Sequence, residues 1–141
     1  MIRIAVAEDD LDWARQLEGY VARYAGENNL NLEFTHYADG EDLLEQYQGQ
    51  FDIILLDIEM PKVTGMDAAR AIREQDDNVV LMFITNMAQY AIRGYSVGAL
   101  DYVLKPVPYF AFSQQLLKAV SRLEKRAKRY LTVPVEGGLR R

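Results

Sequence analysis

The chain alternates short apolar runs with longer amphipathic segments. Ile2-Arg3-Ile4-Ala5-Val6-Ala7 is mostly apolar and stops at Glu8-Asp9-Asp10; the run from Phe51 to Leu56 stops at Asp57; Val79 to Ile84 stops at Thr85. Runs without in-out alternation are strands buried on both faces, so the polar residue ending each one marks a strand's carboxyl end. Leu30 to Tyr37 is different. There Leu30, Leu32, Phe34 and His36 alternate with Asn31, Glu33 and Thr35, the pattern of a strand with one polar face near a sheet edge. A fifth short strand, Asp101-Tyr102-Val103-Leu104, ends at Lys105-Pro106.

The intervening segments have helical spacing. Leu11, Ala14, Leu17, Val21 and Tyr24 recur three and four apart, predicting a helix that Asp10 caps and that Gly26, Asn28 and Asn29 end. A short helix starts at Asp39 or Gly40, runs through Leu43, Leu44 and Tyr47, and closes at Gly49. Met66, Ala69, Ile72 and Arg73 predict a third helix after the loop punctuated by Pro61 and Gly65. A fourth is expected over 88–97, before Gly98, and Phe112, Leu116, Leu117, Val120 and Leu123 give a long one-sided helix over 109–128. Five strands alternating with helices predict an α/β fold, a doubly wound parallel sheet covered on both faces.

Composition fits one domain of 141 residues, half of them apolar, large enough to close a core unaided. The absence of cysteine excludes a disulfide framework and a cysteine-based zinc site, and agrees with a reducing, cytoplasmic setting. The longest apolar stretches reach only about seven residues, short of the roughly 20 that span a bilayer, so no membrane partner is expected. Net charge is −5 but unevenly spread. Residues 122–141 carry seven basic side chains against Glu124 and Glu136, so the preceding 121 residues carry −10. An acidic body of that kind does not hold nucleic acid by itself. The basic tail reads as a helix end, a linker or an interaction segment.

In an open parallel sheet, ligands bind beyond the carboxyl ends of the strands, where strand order reverses. The residues just past the apolar runs are Glu8 and Asp9, Asp57, Thr85 and Lys105. Taken singly, each reads as a helix cap or a solvated charge. Together they put three carboxylates, a hydroxyl and an ammonium at one end of the sheet. Neighbouring carboxylates repel one another, and a hard divalent cation such as Mg²⁺, which takes oxygen ligands, resolves that conflict. A carboxylate oxygen of Asp57 can then attack a phosphoryl group whose oxygens the metal and Lys105 neutralise, with Thr85 donating a hydrogen bond to the product. The set describes an aspartyl-phosphate site.

Glu8-Asp9, Leu56-Asp57-Ile58-Glu59-Met60-Pro61, Thr85 and Lys105-Pro106 together resemble the receiver domain of two-component response regulators, over residues 2 to about 125. The resemblance implies a flavodoxin-like, five-stranded doubly wound sheet of order 2-1-3-4-5, with Asp57 phosphorylated by a sensor histidine kinase. It implies that Asp9 and Asp57 bind Mg²⁺ directly with the Glu59 main-chain carbonyl, that Glu8 assists through water, and that Lys105 pairs with the phosphoryl group. It also implies a cis Lys105-Pro106 bond, and a switch in which Tyr102 turns inward as Thr85 moves toward the phosphoryl group.

The stretch Phe83 to Ala91, followed by Gly98-Ala99-Leu100-Asp101-Tyr102, is similar to receivers of LytTR-type transcriptional regulators (LytR/AgrA-like). Asn86 stands where a small residue is usual, and Met87, like Glu59, occupies a position at which the family tunes dephosphorylation. Tyr130 to Leu139 looks like the opening strand of a LytTR domain. The expected division is a receiver over 1–126, then a linker and first strand over 127–141 of a longer regulator. DNA would be contacted only through the output domain, and phosphorylation would drive homodimerisation or domain release.

Two other functions fit parts of the pattern. A magnesium-dependent phosphohydrolase also uses an aspartyl nucleophile, but the haloacid dehalogenase-like family places an Asp two residues on, where this chain has Glu59, and Met60 follows in place of threonine or valine. The expectation is therefore not an enzyme, beyond self-catalysed phosphorylation and dephosphorylation. A receiver-like module that no longer accepts phosphate is the third reading, opposed by competent residue types at every acidic, hydroxyl and lysine position. The lone His36 reads as core or surface.

Overall fold

The computed structural model describes residues 1–86 and 97–132, with side chains through residue 127. Its strands are β1 (Ile2–Ala7), β2 (Leu32–Tyr37), β3 (Ile53–Leu56), β4 (Val80–Thr85) and β5 (Asp101–Leu104). They pair in parallel in the order β2-β1-β3-β4-β5, as expected. The described helices are α1 (Leu11–Asn28), α2 (Gly40–Gln46), α3 (Gly65–Gln75) and α4 (Tyr109–Thr132). The helix expected over 88–97 lies outside the described residues, apart from Val97, which sits in a turn.

The central strands are apolar throughout because helices cover both faces. Ala5, Ala7, Ile54, Leu56, Leu81 and Phe83 pack on one side with Leu43 of α2 and Ala69 and Ile72 of α3. Ile4, Val6, Ile53, Leu55, Val80 and Met82 pack on the other with Leu17 and Val21 of α1 and Phe112 and Leu116 of α4. Consecutive strand residues point to opposite faces, so each run feeds both cores at once. β2 lies at the sheet edge and keeps the partly exposed pattern read from its alternation.

Local chemistry fixes the helix ends. Asp10, Asp39 and Thr64 cap α1, α2 and α3, each side chain accepting a hydrogen bond from a backbone N–H inside the first turn. α1 runs through Gly26 and stops at Asn29, whose left-handed φ of 54° turns the chain while the Leu30 N–H donates to the Ala25 carbonyl at 2.9 Å. Leu30 therefore finishes the helix, and β2 begins at Leu32. α4 also departs from expectation: Tyr130, Leu131 and Thr132, read as the start of a strand, are its last turn. Residues 133–141 lie outside the described residues.

Candidate functional site

Strand order reverses between β1 and β3, and the site forms beyond their carboxyl ends. The register pairs Ala7 with Leu56, so Glu8 and Asp57 emerge side by side, and the Asp57 N–H donates to the Ala7 carbonyl at 3.1 Å. β4 delivers Thr85, fully buried, and the Lys105 N–H after β5 donates to the Thr85 carbonyl at 2.9 Å. The Lys105-Pro106 bond is cis. These contacts bring Glu8, Asp57, Thr85 and Lys105 together from four strands.

The Lys105 ammonium donates to Glu8 Oε1 at 2.8 Å and to Asp57 Oδ2 at 3.0 Å. Glu8 and Asp57 are only 2 % and 7 % exposed. Asp9 is exposed, yet oxygens of the Glu8, Asp9 and Asp57 carboxylates all lie within 4.8 Å of one another. One ammonium bridges two buried carboxylates with a third beside them, and Glu8 is the most deeply buried of the three. Burial pushes its carboxyl up to about 7; hydrogen bonds from Lys105 and the Asp10 N–H pull the other way, and the Asp57 charge adds to the rise. For Lys105, burial disfavours the charge, but its bonds to Glu8 and Asp57 outweigh that and raise its pKa. An all-oxygen donor set short of positive charge fits a hard divalent cation.

The backbone around Asp57 is tightly set. The Glu59 N–H lies 3.4 Å from Asp57 Oδ1, and the Gly65 N–H donates to the Ile58 carbonyl at 2.9 Å. A Cβ on Gly65 would lie 2.0 Å from the Asp57 carbonyl oxygen, so only glycine lets α3 start this close to the site. Tyr102 is half-buried on β5, its ring centroid 5.7 Å from that of Phe83.

Three supports escaped the sequence reading. His36 donates from Nε2 to the Glu8 carbonyl at 2.7 Å, holding the main chain of β1 where the acidic pair begins. The Asp10 N–H donates to Glu8 Oε2 at 3.0 Å, so the residue that caps α1 also orients a site carboxylate. Trp13 sets its ring 5.8 Å from the Lys105 ammonium. The register Val6 to His36 is the one feature that would have put His36 beside the site, and it exists only once β1 and β2 pair.

Comparison with known proteins agrees with this architecture. The response regulator receiver domain model matches residues 4–121. The chain is 33 % identical over 128 residues to the sensory transduction protein LytT of Oceanobacillus iheyensis, covering 88 % of this chain and 48 % of LytT. It is 32 % identical over 108 residues to the response regulator ArlR of Staphylococcus aureus, covering 75 % and 47 %. The chain thus spans about half the length of these curated relatives. Among solved structures, the response regulatory domain of protein mrkE from Klebsiella pneumoniae matches with a TM-score of 0.80 at 25 % identity, over 88 % of this chain and 99 % of that one. Response regulator protein TrrA from Thermotoga maritima, in complex with Mg(2+)-BeF, matches with a TM-score of 0.73 at 24 % identity, over 84 % and 99 %. Sheet order, the acidic cleft at the β1/β3 switch point and the match across residues 4–121 agree, and the chain belongs to the receiver domain family of two-component response regulators.

Proposed function

We propose that Asp57 is the phosphoacceptor of this receiver, taking a phosphoryl group from a sensor histidine kinase and passing the change to an attached DNA-binding output domain. The observation that carries the reading is the Lys105 ammonium bridging Glu8 and Asp57 beside a third carboxylate, Asp9. A buried lysine shared by two carboxylates is a cation already in position for added negative charge. In the reaction, an Asp57 oxygen attacks phosphorus, a new O–P bond forms, and the donor's P–N bond breaks, its electrons returning to the kinase imidazole. Asp9, Asp57 and the Glu59 main-chain carbonyl are the proposed direct ligands of Mg²⁺, with Glu8 assisting. The metal would supply neutralisation of phosphoryl oxygens as charge develops. Lys105 keeps its bond toward Asp57 and offers its remaining N–H groups to the incoming oxygens. The Thr85 hydroxyl at the end of β4 is the proposed donor to the phosphorylated product, with Tyr102 following it inward.

The receiver unit is proposed as 1–126. Residues 127–141 would lead into a LytTR-type output domain, in keeping with relatives about twice as long. Phosphorylation would act by shifting an existing two-state equilibrium toward a homodimer or a released output domain in the cytoplasm. The test is incubation with Mg²⁺ and acetyl phosphate followed by intact mass measurement. A gain of one phosphoryl group, absent in Asp57→Asn and without Mg²⁺, is expected. Multiple turnover of diverse phosphate esters, or a phosphoryl group that survives Asp57→Asn, would overturn the assignment.

A further inference from the structure

Lys105 is held on a side that the family signature does not include. Trp13, the only tryptophan in the chain, lies in the first turn of α1 and is 9 % exposed. Its ring centroid is 5.8 Å from the Lys105 Nζ, within the reach of a cation–π contact. The contact closes a ring of interactions. Lys105 donates to Glu8 Oε1, Glu8 Oε2 accepts from the Asp10 backbone N–H, Asp10 Oδ1 accepts from the Trp13 backbone N–H at 3.2 Å, and the Trp13 ring returns to Lys105.

The ring is anchored from behind. Tyr20 meets Trp13 edge-on, with centroids 6.3 Å apart and planes at 88°, and its hydroxyl donates to the Val107 carbonyl at 2.9 Å. Val107 lies two residues beyond Lys105. Tyr20 also packs on Tyr109 and Phe112 at the start of α4. One face of α1 therefore grips both the ammonium of Lys105 and the main chain that carries it.

We infer that Trp13 is a positioning residue for Lys105: its aromatic face holds the ammonium between Glu8 and Asp57 and directs it at a phosphoryl group arriving on Asp57. A lysine ammonium on a four-carbon stem has many competing positions, and a π face on its open side favours the one pointing into the cleft. The ring's contribution is to orientation, because its contacts are with the Lys105 ammonium and the Tyr20 ring that anchors it. The kinetic part of this inference rests on the reading of Asp57 as phosphoacceptor. The contact itself does not.

Two measurements test it. The first is Trp13 fluorescence in the metal-free chain. An ammonium beside the ring perturbs the excited indole, so Lys105→Met should shift the emission maximum or intensity, while Lys118→Met, which removes an exposed lysine bound to Asp101, should leave both unchanged. Equal spectra for Lys105→Met and wild type, with matching circular dichroism, would overturn the contact.

The second is the rate of phosphoryl uptake from acetyl phosphate at saturating Mg²⁺. Trp13→Phe keeps an aromatic face and Trp13→Leu does not, and both remove volume from the same pocket. Trp13→Leu should be about two- to fivefold slower than Trp13→Phe, as expected from losing a cation–π contact, with the Mg²⁺ half-saturation unchanged. Equal rates for Phe and Leu, or a change confined to Mg²⁺ affinity, would overturn the positioning role. If wild type took up no phosphoryl group, the Asp57 reading would fall, and the positioning role with it, while the fluorescence comparison would still decide the contact.

Discussion

At the scale of single residues, burial in the cleft, with the Asp57 charge adding to it, weighs most on Glu8. Its folded pKa of about 7 lies above the ordinary 4.5, so between those values the folded chain keeps a proton that the unfolded chain has released. Folding then takes up a proton. The associated stability is fully present below about pH 4.5 and is lost as pH rises through about 7. Thermal melts of the metal-free chain between pH 5 and 8 should show Tm falling, and Glu8→Gln, which holds the neutral form, should flatten that fall. Saturating Mg²⁺ should raise Tm more at pH 8 than at pH 5, because the ionised Glu8 carboxylate favours a nearby divalent cation and its protonated form does not. A Tm rise independent of pH would separate the metal from Glu8. The placement of Glu8, Asp57, Thr85 and Lys105 at one end of the sheet was legible in the sequence because each directly follows an apolar run, with Asp9 next to Glu8. Trp13 and His36 were not, since their partners lie 92 and 28 residues away and neither residue type announces a contact of that kind.

At the scale of elements, the site depends on how closely α3 approaches the end of β3. Gly65 opens α3 against the Asp57 carbonyl, and a Cβ there would lie 2.0 Å from that oxygen. Gly65→Ala must push the loop from Asp57 to Thr64 away from the cleft or shift the start of α3, against a packed core of Met66, Ala68 and Ala69. A loss of about 1–3 kcal/mol is expected, from overpacking of a well-filled site. Denaturant unfolding measures it, and phosphoryl uptake should slow as the Asp57 carboxylate moves; a variant with unchanged stability and rate would show that the loop yields freely. The strands, the cap Asp10 and the helix start at Asp39 were readable because period and capping chemistry are local, whereas Thr64 emerged as the cap of α3 only in the structure. The ends of α1 and α4 were less readable. Gly26, Asn28 and Asn29 were read together as the stop, and of these Asn29 supplies the left-handed turn while the helix runs through Gly26. Tyr130-Leu131-Thr132 looked like a strand, yet once a helix exists each further residue adds a backbone bond without a new nucleus, and that outweighs a modest β preference.

At the scale of the whole molecule, the open question is where the receiver stops being held by its own contacts. The family match ends at residue 121, but α4 continues to Thr132. Among the described residues beyond 121, two contacts bear on the domain's stability. Leu123 packs against the core shared by α1 and α4, and the Arg126 guanidinium donates to the Asn78 carbonyl just before β4. A chain ended after residue 121 loses both, about 1–2 kcal/mol of apolar burial and about 1 kcal/mol of hydrogen bonding. For a domain of this size that lowers Tm by about 5–10 °C. A chain ended after residue 126 keeps both and should melt within about 2 °C of the 141-residue chain, with the same rate of phosphoryl uptake, as the proposed 1–126 receiver requires. Equal Tm values for the two truncations would draw the boundary back to the family match. A large drop for the longer one would instead make the last turns of α4 part of the receiver.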